Sequence, residues 1–337
     1  MHAIRQYEFG GPEVLRYEQA PDPEPGPGQV RIDARAVGVH LLDTVFRSGD
    51  RGKMPYDPPE LPTTPGRESA GVVDAVGEGV DESWIGRRVV AHLGFAAGGY
   101  AEKAVRDVDA VHELPDEIDF EAAVAMIGTG RTALMILEVG PPTADDVVII
   151  PAAAGGLGTL LVQAAKRAGA HVIGLAGGPD KTAQVTANGA DAAVDYRAED
   201  WTKALDSALN TTALNTTALG GRKATLLYDS VGGDAGRAAL ERLGTGGRVI
   251  VFGWSSGRPI RASDEDFTAR GLTVTSALGP ELIAKLGGLR RLEERALAEL
   301  AAGHLAPAVH TFKLADAGDA HRALEDRGTT GKVVLVP

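Results

Sequence analysis

The stretch from Val147 to Gly169, V-V-I-I-P-A-A-A-G-G-L-G-T-L-L-V-Q-A-A-K-R-A-G, constrains the fold of this chain more than any other. Val147 to Ile150 form a short, mostly β-branched apolar run, which suits a strand buried in a parallel sheet. Small residues follow at once. An Ala/Leu/Gln/Lys-rich segment then favours helix. The order is strand, tight turn, helix. Within the turn, Ala153-x-Gly155-x-x-Gly158, with Gly156 and Leu157 between, is the fingerprint G-x-G-x-x-G with alanine in first place. Small residues are required there for the turn itself, for close approach of backbone to a pyrophosphate, and for packing the helix on the strand. The helix N-terminus beyond the turn offers unpaired N–H groups and the positive end of its dipole to phosphates. A glycine-rich turn alone is a weak signal; the strand before it and the helix after it give it meaning.

The surrounding sequence agrees. From Val147 onward, strand and helix patterns alternate: His171–Leu175, Ala192–Asp195, Thr225–Tyr228 and Val249–Phe252 read as strands separated by helical segments. That alternation predicts an α/β, doubly wound parallel sheet. The first third is different. It is rich in β and turn residues, with a strand-turn-strand start, a Pro/Gly-rich loop from Pro21 to Gly28, and the alternating run Val30–Val37. A short helix is expected from His40 to Arg47, stopped by Gly49. The tail returns to β character at His310–Lys313 and Lys332–Val336. The expected organisation is a β-rich domain over 1–123, a nucleotide domain over 124–278, and a return to the first domain over 279–337. The tandem A-L-N-T-T at 208–212 and 213–217, closed by Ala218-Leu219, reads as a duplication tolerated at a surface connection.

Composition excludes several classes. The 337 residues exceed one ordinary core, in keeping with two domains. A formal net charge of −12 argues against nucleic acid as the main partner. No run of about 18 apolar residues stands out, so no membrane span is expected, and the N-terminus lacks a signal-peptide pattern. The chain has no cysteine, which fits a cytoplasmic location and excludes Cys-ligated zinc. Its eight histidines form no H-x-x-x-H pair, so no metal site is expected.

Dinucleotide folds that take NAD usually carry an acid after the second strand, on the ribose 2′-OH. Here Ala176-Gly177-Gly178-Pro179 follows that strand, with Asp180 and Lys181 next. A small turn plus a lysine suits a 2′-phosphate. Asp180 reads as a helix cap, and spacing alone leaves Lys181 equally open as a solvated surface residue.

Many segments in one order resemble the zinc-independent, zeta-crystallin-like quinone oxidoreductases of the medium-chain dehydrogenase/reductase superfamily. They are P-G-P-G-Q-V-R-I (25–32), L-D-T-V-F-R-S-G (42–49), P-G-R-E-S-A-G-V-V (65–73), A-A-A-G-G-L-G (152–158), N-G-A-D-A-A-V-D-Y-R (188–197), Y-D-S-V-G-G (228–233), V-F-G-W-S-S-G (251–257) and T-G-K-V-V-L (330–335). The resemblance implies a GroES-like catalytic domain around a Rossmann domain, NADPH as cofactor and a homodimer. It implies that Lys181 and Tyr196 flank the 2′-phosphate, with Gly177 beside them. Thr132, Phe252, Gly253, Ser255, Ala277, Leu278, Gly279 and Lys332 are the further cofactor contacts it implies. Zinc-dependent relatives carry G-H-E where this chain has Gly66-Arg67-Glu68. Many quinone reductases carry N-F-x-D-x-Y where it has His40-Leu41-Leu42-Asp43-Thr44-Val45, so substrate preference is open at this point.

Without a metal, the expected chemistry is hydride transfer from a nicotinamide to an electron-poor acceptor such as a quinone or an enone. His40 is the imidazole in the relevant segment and a candidate proton donor. Asp43 either orients His40 or caps the turn after it. Val45, Tyr56 and Tyr100 are candidates to line the substrate site, as is Arg131. Two other readings stand beside this one: an enoyl-thioester reductase, and an NADPH-binding sensor or structural protein with little catalysis.

Overall fold

The computed structural model describes residues 1–50, 57–94, 97–210 and 223–337. They fall into two compact units, Met1–Gly130 with Glu293–Pro337, and Arg131–Leu292. The seams lie later than the expected 123/124 and 278/279, for a packing reason. The helix Phe120–Ala125 and the turn of π-helix Met126–Gly130 that continues it bury Val124 and Ile127 against Ala36, Ala70, Val90 and Val334 of the first unit. The helix Pro280–Lys285 stays with the second.

The first unit holds strands β1 (His2–Gln6), β2 (Leu15–Gln19), β3 (Gln29–Val39), β4 (Glu68–Val76), β5 (Arg88–His92), β6 (Lys103–Asp107) and β7 (Val111–Glu113). β1 and β2 form an antiparallel pair. The alternating run noted in the sequence is the middle of β3, which hydrogen-bonds to β4 on one side. The second unit holds β8 (Val147–Pro151), β9 (His171–Ala176), β10 (Ala192–Asp195), β11 (Ala224–Asp229), β12 (Leu243–Val251) and β13 (Thr273–Ser276). The chain then returns to the first unit with β14 (Val309–Lys313) and β15 (Lys332–Val336). β15 lies antiparallel to β3 and parallel to β14, so the C-terminal strand enters the N-terminal sheet, whose order is β14-β15-β3-β4-β5-β7.

In the second unit all pairings among the described residues are parallel and the order is β10-β9-β8-β11-β12-β13. This is the doubly wound arrangement, with its switch point between β8 and β11, where such sheets bind ligands at the strands' carboxyl ends. All five residues of β8 are buried, as a central strand covered on both faces requires. Among the described residues one helical stretch, Phe120–Val139, is long and apolar enough to cross a membrane by length and composition, with a mean hydropathy of 1.4. The expectation that none would stand out is corrected on this point. Glu121, Arg131 and Glu138 break up the run in the sequence, and 61% of the window is buried inside the fold, as in the core helix of a soluble protein.

Candidate active site

The turn after β8 has the geometry its sequence predicts. Ala152 takes a left-handed conformation at φ 52°, and its carbonyl accepts from the Gly155 N–H at 3.0 Å. The helix Gly156–Arg167 starts on Gly155. A Cβ on Gly158 would sit 2.3 Å from the Ala152 oxygen and 2.6 Å from the Ala153 Cα. Those are backbone atoms that cannot yield cheaply, so glycine is required for the helix to begin this close to the turn. Gly155 is less constrained, its missing Cβ 3.3 Å from the same oxygen. The turn therefore fits a dinucleotide pyrophosphate.

At the carboxyl end of β9 the polypeptide passes Gly177 and Gly178, and Asp195 at the end of β10 accepts from Gly178 N and Arg197 N at 2.9 Å each. A Cβ on Gly177 would meet Arg197 Cδ at 2.8 Å and the Tyr196 ring at 3.4 Å. Tyr196 and Arg197 thus stand directly beside the turn, and Lys181 lies in the helix Pro179–Ala187 that follows it. The Asp195 carboxylate is thus committed to backbone, and Asp180 stands in the first turn of that helix. Arg197 was not among the expected contacts. Its signal was present, since it directly follows Tyr196 in V-D-Y-R.

The remaining expected cofactor residues of this unit sit at the ends of their elements. Phe252 follows β12, its N–H bonded to Asp229 O at 2.9 Å, and Ser255 N bonds to Ser230 O at 2.9 Å. Gly253 lies between them. Ala277 follows β13 and is buried, Leu278 is exposed, and Gly279 at φ 126° caps the helix after it. Arg131 and Thr132 are the half-buried first residues of the helix Arg131–Val139.

The first unit contains a buried charge cluster. His40 caps the helix Leu41–Ser48, β4 begins at Glu68 and β15 begins at Lys332. These ends converge: His40 Nε2 is 2.6 Å from Glu68 Oε1, Lys332 Nζ is 2.8 Å from Glu68 Oε2, and Lys332 Nζ is 3.0 Å from His40 Nε2. Lys332 and Glu68 form a close ion pair, and neither Glu68 oxygen has a hydrogen-bond partner at good angles among the described residues. Glu68 is completely buried. Burial pushes its carboxyl upward, but His40, Lys332 and the more distant His92 outweigh burial and hold it well below the usual carboxylate range. Two glycines make room for it. A Cβ on Gly38 would lie 2.0 Å from Oε2, and one on Gly128 would lie 1.7 Å from Oε1.

Asp43 plays the capping role. Its Oδ2 accepts from the His40 backbone N–H at 2.8 Å and from the Tyr100 hydroxyl at 3.0 Å. It holds the His40 backbone, while Glu68 orients the His40 ring. Lys332, expected on the cofactor, places its ammonium on Glu68 and His40. Tyr100, expected to line the substrate site, is corrected. It is fully buried with its ring against Gly66, where a Cβ would come within 2.2 Å, and its hydroxyl also meets His321 Nε2 at 3.0 Å. Arg47 continues the chain, contacting His321 Nδ1 at 3.3 Å and Glu325 at 2.6 Å. Arginine only donates, so His321 Nδ1 accepts, Nε2–H donates to the Tyr100 oxygen, and the Tyr100 O–H is left for Asp43. Val45 is half-buried on the helix. A cavity of about 190 Å³ is lined instead by its neighbours Asp43, Phe46 and Arg47 together with Gly66 and Arg67. Tyr56 and most of the 208–219 repeat lie outside the described residues. Among the described residues no group of His, Cys, Asp and Glu is arranged to hold a metal ion.

A GroES-like unit closed by the chain's last strand, and a doubly wound unit with a dinucleotide turn, together define the medium-chain dehydrogenase/reductase class. Comparison with known proteins agrees: residues 26–116 match the alcohol dehydrogenase GroES-like domain family, and residues 156–294 match the zinc-binding dehydrogenase family. The quinone oxidoreductase of Pseudomonas aeruginosa is 33% identical over 340 residues, covering 98% of this chain and 97% of its own. The 2-haloacrylate reductase of a Burkholderia species is 30% identical over 341 residues, covering 98% and 97%. The crystal structure of Escherichia coli quinone oxidoreductase complexed with NADPH superposes with a TM-score of 0.82 at 32% identity, covering all of both chains. The chain belongs to the zeta-crystallin-like quinone oxidoreductase group of the medium-chain dehydrogenase/reductase superfamily.

Proposed function

We propose that this protein is a cytoplasmic NADPH-dependent reductase that delivers hydride to quinones or α,β-unsaturated carbonyl compounds. The observation that carries the choice of NADPH is the turn after β9. Gly177 leaves a gap that Arg197 and Tyr196 border, Lys181 follows on the next helix, and the turn carries no acid for a ribose 2′-OH. A 2′-phosphate is a tetrahedral anion whose oxygens arginine and lysine bind strongly. When bound, the nicotinamide supplies the hydride. The chain binds and orients the dinucleotide through the Ala153–Gly158 turn and excludes water from the reacting atoms. An electron-poor acceptor needs little acid assistance, and the single proton that completes the reduction after hydride transfer comes from solvent or from the His40 imidazole, which Glu68 holds in place.

NADPH oxidation against a panel of quinones, enones and enoyl-thioesters, with NADH as control, tests this. KM for NADPH is expected to lie about 100-fold below that for NADH, and the double variant Lys181→Ala/Arg197→Ala to cut the difference to about tenfold or less. Equal rates with the two nucleotides would remove Lys181, Tyr196 and Arg197 from recognition. Unchanged kinetics in His40→Ala would remove His40 from proton delivery. Thioesters turned over well above quinones would favour the enoyl-thioester reading.

The protein is further expected to pair with a second copy through β13. That strand ends its sheet, all four of its residues are exposed, and Val274 and Leu278 present apolar surface there. An edge with an unpaired row of backbone groups recruits another strand. Val274→Lys would bring like charges together across a two-fold contact. Light scattering after size exclusion is expected to give a dimer for the native chain and a monomer for the variant; two dimers would refute the assignment.

A further inference from the structure

The cavity of about 190 Å³ in the first unit is lined by a cation with a buried donor that has no hydrogen-bond partner among the described residues. Arg67 lines it, with a side chain that is only 16% exposed. Its guanidinium lies over the Phe46 ring, 5.3 Å from the centroid. Its nearest carboxylate oxygen among the described residues is Asp43 Oδ1, at 3.8 Å from Nη2, which is beyond hydrogen-bond reach. The other Asp43 oxygen is already taken by His40 N and the Tyr100 hydroxyl. Arg67 Nε is buried with no hydrogen-bond partner among the described residues. Arg47, the other cation of the lining, is committed to Gly10 O, His321 and Glu325. Asp57, the other carboxylate of the lining, is exposed.

A buried donor left unmade is costly, and a guanidinium presents its donors as a fork that matches a carboxylate. The walls beside it are apolar and flat: Phe46, Pro59 and Pro65. We propose that this cavity takes acceptors that carry a carboxylate, held by Arg67, with the conjugated part of the molecule against Phe46 and the two prolines. Arg67 is then a specificity-determining residue that selects anionic enones or quinones over their neutral counterparts. The proposal rests on the reductase reading above and narrows its substrate class.

Two measurements separate the two ideas. The first compares trans-3-benzoylacrylate with its methyl ester as acceptors for NADPH oxidation; the pair differs in charge and hardly in shape. The native enzyme is expected to favour the acid in kcat/KM by about 10- to 100-fold. In Arg67→Gln that ratio is expected to fall to about unity, with Arg67→Lys intermediate because it keeps charge and loses the fork. Thermal melting of each variant confirms that it is folded, and the lysine variant keeps the test open should the glutamine variant fail to fold. The second measurement titrates the saturated product, 3-benzoylpropionate, calorimetrically into the enzyme. It needs no turnover. Binding that weakens about tenfold or more in Arg67→Gln supports the carboxylate site even if every acceptor in the panel proves inert, an outcome that would sink the reductase reading alone. Brisk turnover with no preference for the acid, or a preference that survives in Arg67→Gln, overturns the carboxylate site and leaves the reductase reading intact.

Discussion

Glu68→Gln is expected to lower the stability of the first unit by about 3–5 kcal/mol, the cost of removing one member from a buried ion pair. The side chain is fully buried and faces both the Lys332 ammonium, at 2.8 Å, and the His40 imidazole, at 2.6 Å. Glutamine keeps the shape, so Gly38 and Gly128 still accommodate it and no cavity opens. What is lost is the charge. Lys332 is then a buried cation beside a neutral amide, and the amide nitrogen points a donor at a donor. Urea unfolding of the two proteins measures the difference. A second variant isolates the cause: adding Lys332→Met removes the orphaned cation and is expected to restore part of the loss. Because Glu68 sets the His40 ring, NADPH oxidation is expected to fall as well. A midpoint within about 0.5 kcal/mol of the native protein, a typical surface substitution, would show that the cluster contributes nothing to folding.

Acidification is expected to cost the first unit about 3 kcal/mol between pH 6.5 and pH 4 through His321 alone. The ring is completely buried on the helix Ala317–Glu325. Burial is the main cause that pushes its pKa down, to about 4; Arg47 adds to the effect and Asp43 opposes it. The sign follows from proton counting. In the unfolded chain His321 takes up a proton as pH falls through 6.5, whereas the folded chain does not until about 4. Between those values the unfolded state binds more protons, so stability falls as pH falls, and the loss is complete below the folded pKa. The tautomer imposed by Arg47 and Tyr100 makes the same point chemically, since a second ring proton would point at the Arg47 guanidinium. His321→Gln lacks the titration. Its stability from pH 7 to pH 4 is expected to decline less steeply than that of the native chain, as followed by urea unfolding at each pH. Parallel declines would mean that His321 is protonated alike in both states.

The contrast between these residues shows what could be read in the chain. The short helix after His40 and its Gly49 stop were legible because caps and breakers act locally; Gly49 takes φ 72° there. The nucleotide turn was legible for the same reason, and Gly158 shows why substitution there is forbidden. Glu68 was visible only as the E of Gly66-Arg67-Glu68, and nothing near it announced a partner at Lys332. Tyr100, next to a glycine pair, read as a residue at a cleft, yet the ring fills the space that Gly66 leaves and its hydroxyl joins Asp43 and His321 from two distant segments.

The chain's local patterns alone determined two domains, a doubly wound nucleotide unit, its phosphate turn and the absence of an acid after β9. Those features depend on residues close in sequence, where periodicity, backbone conformation and small side chains act directly. The charge cluster of His40, Glu68 and Lys332, the Asp43–Tyr100–His321–Arg47 network and the placement of Arg67 were decided only by tertiary structure. The cluster joins element ends, with Lys332 opening β15 and Glu68 opening β4, and the network draws on the helix Ala317–Glu325 that precedes β15, so both depend on the chain's return to the first unit. Whether a buried charge is paired or left facing a cavity depends on which of those ends meet.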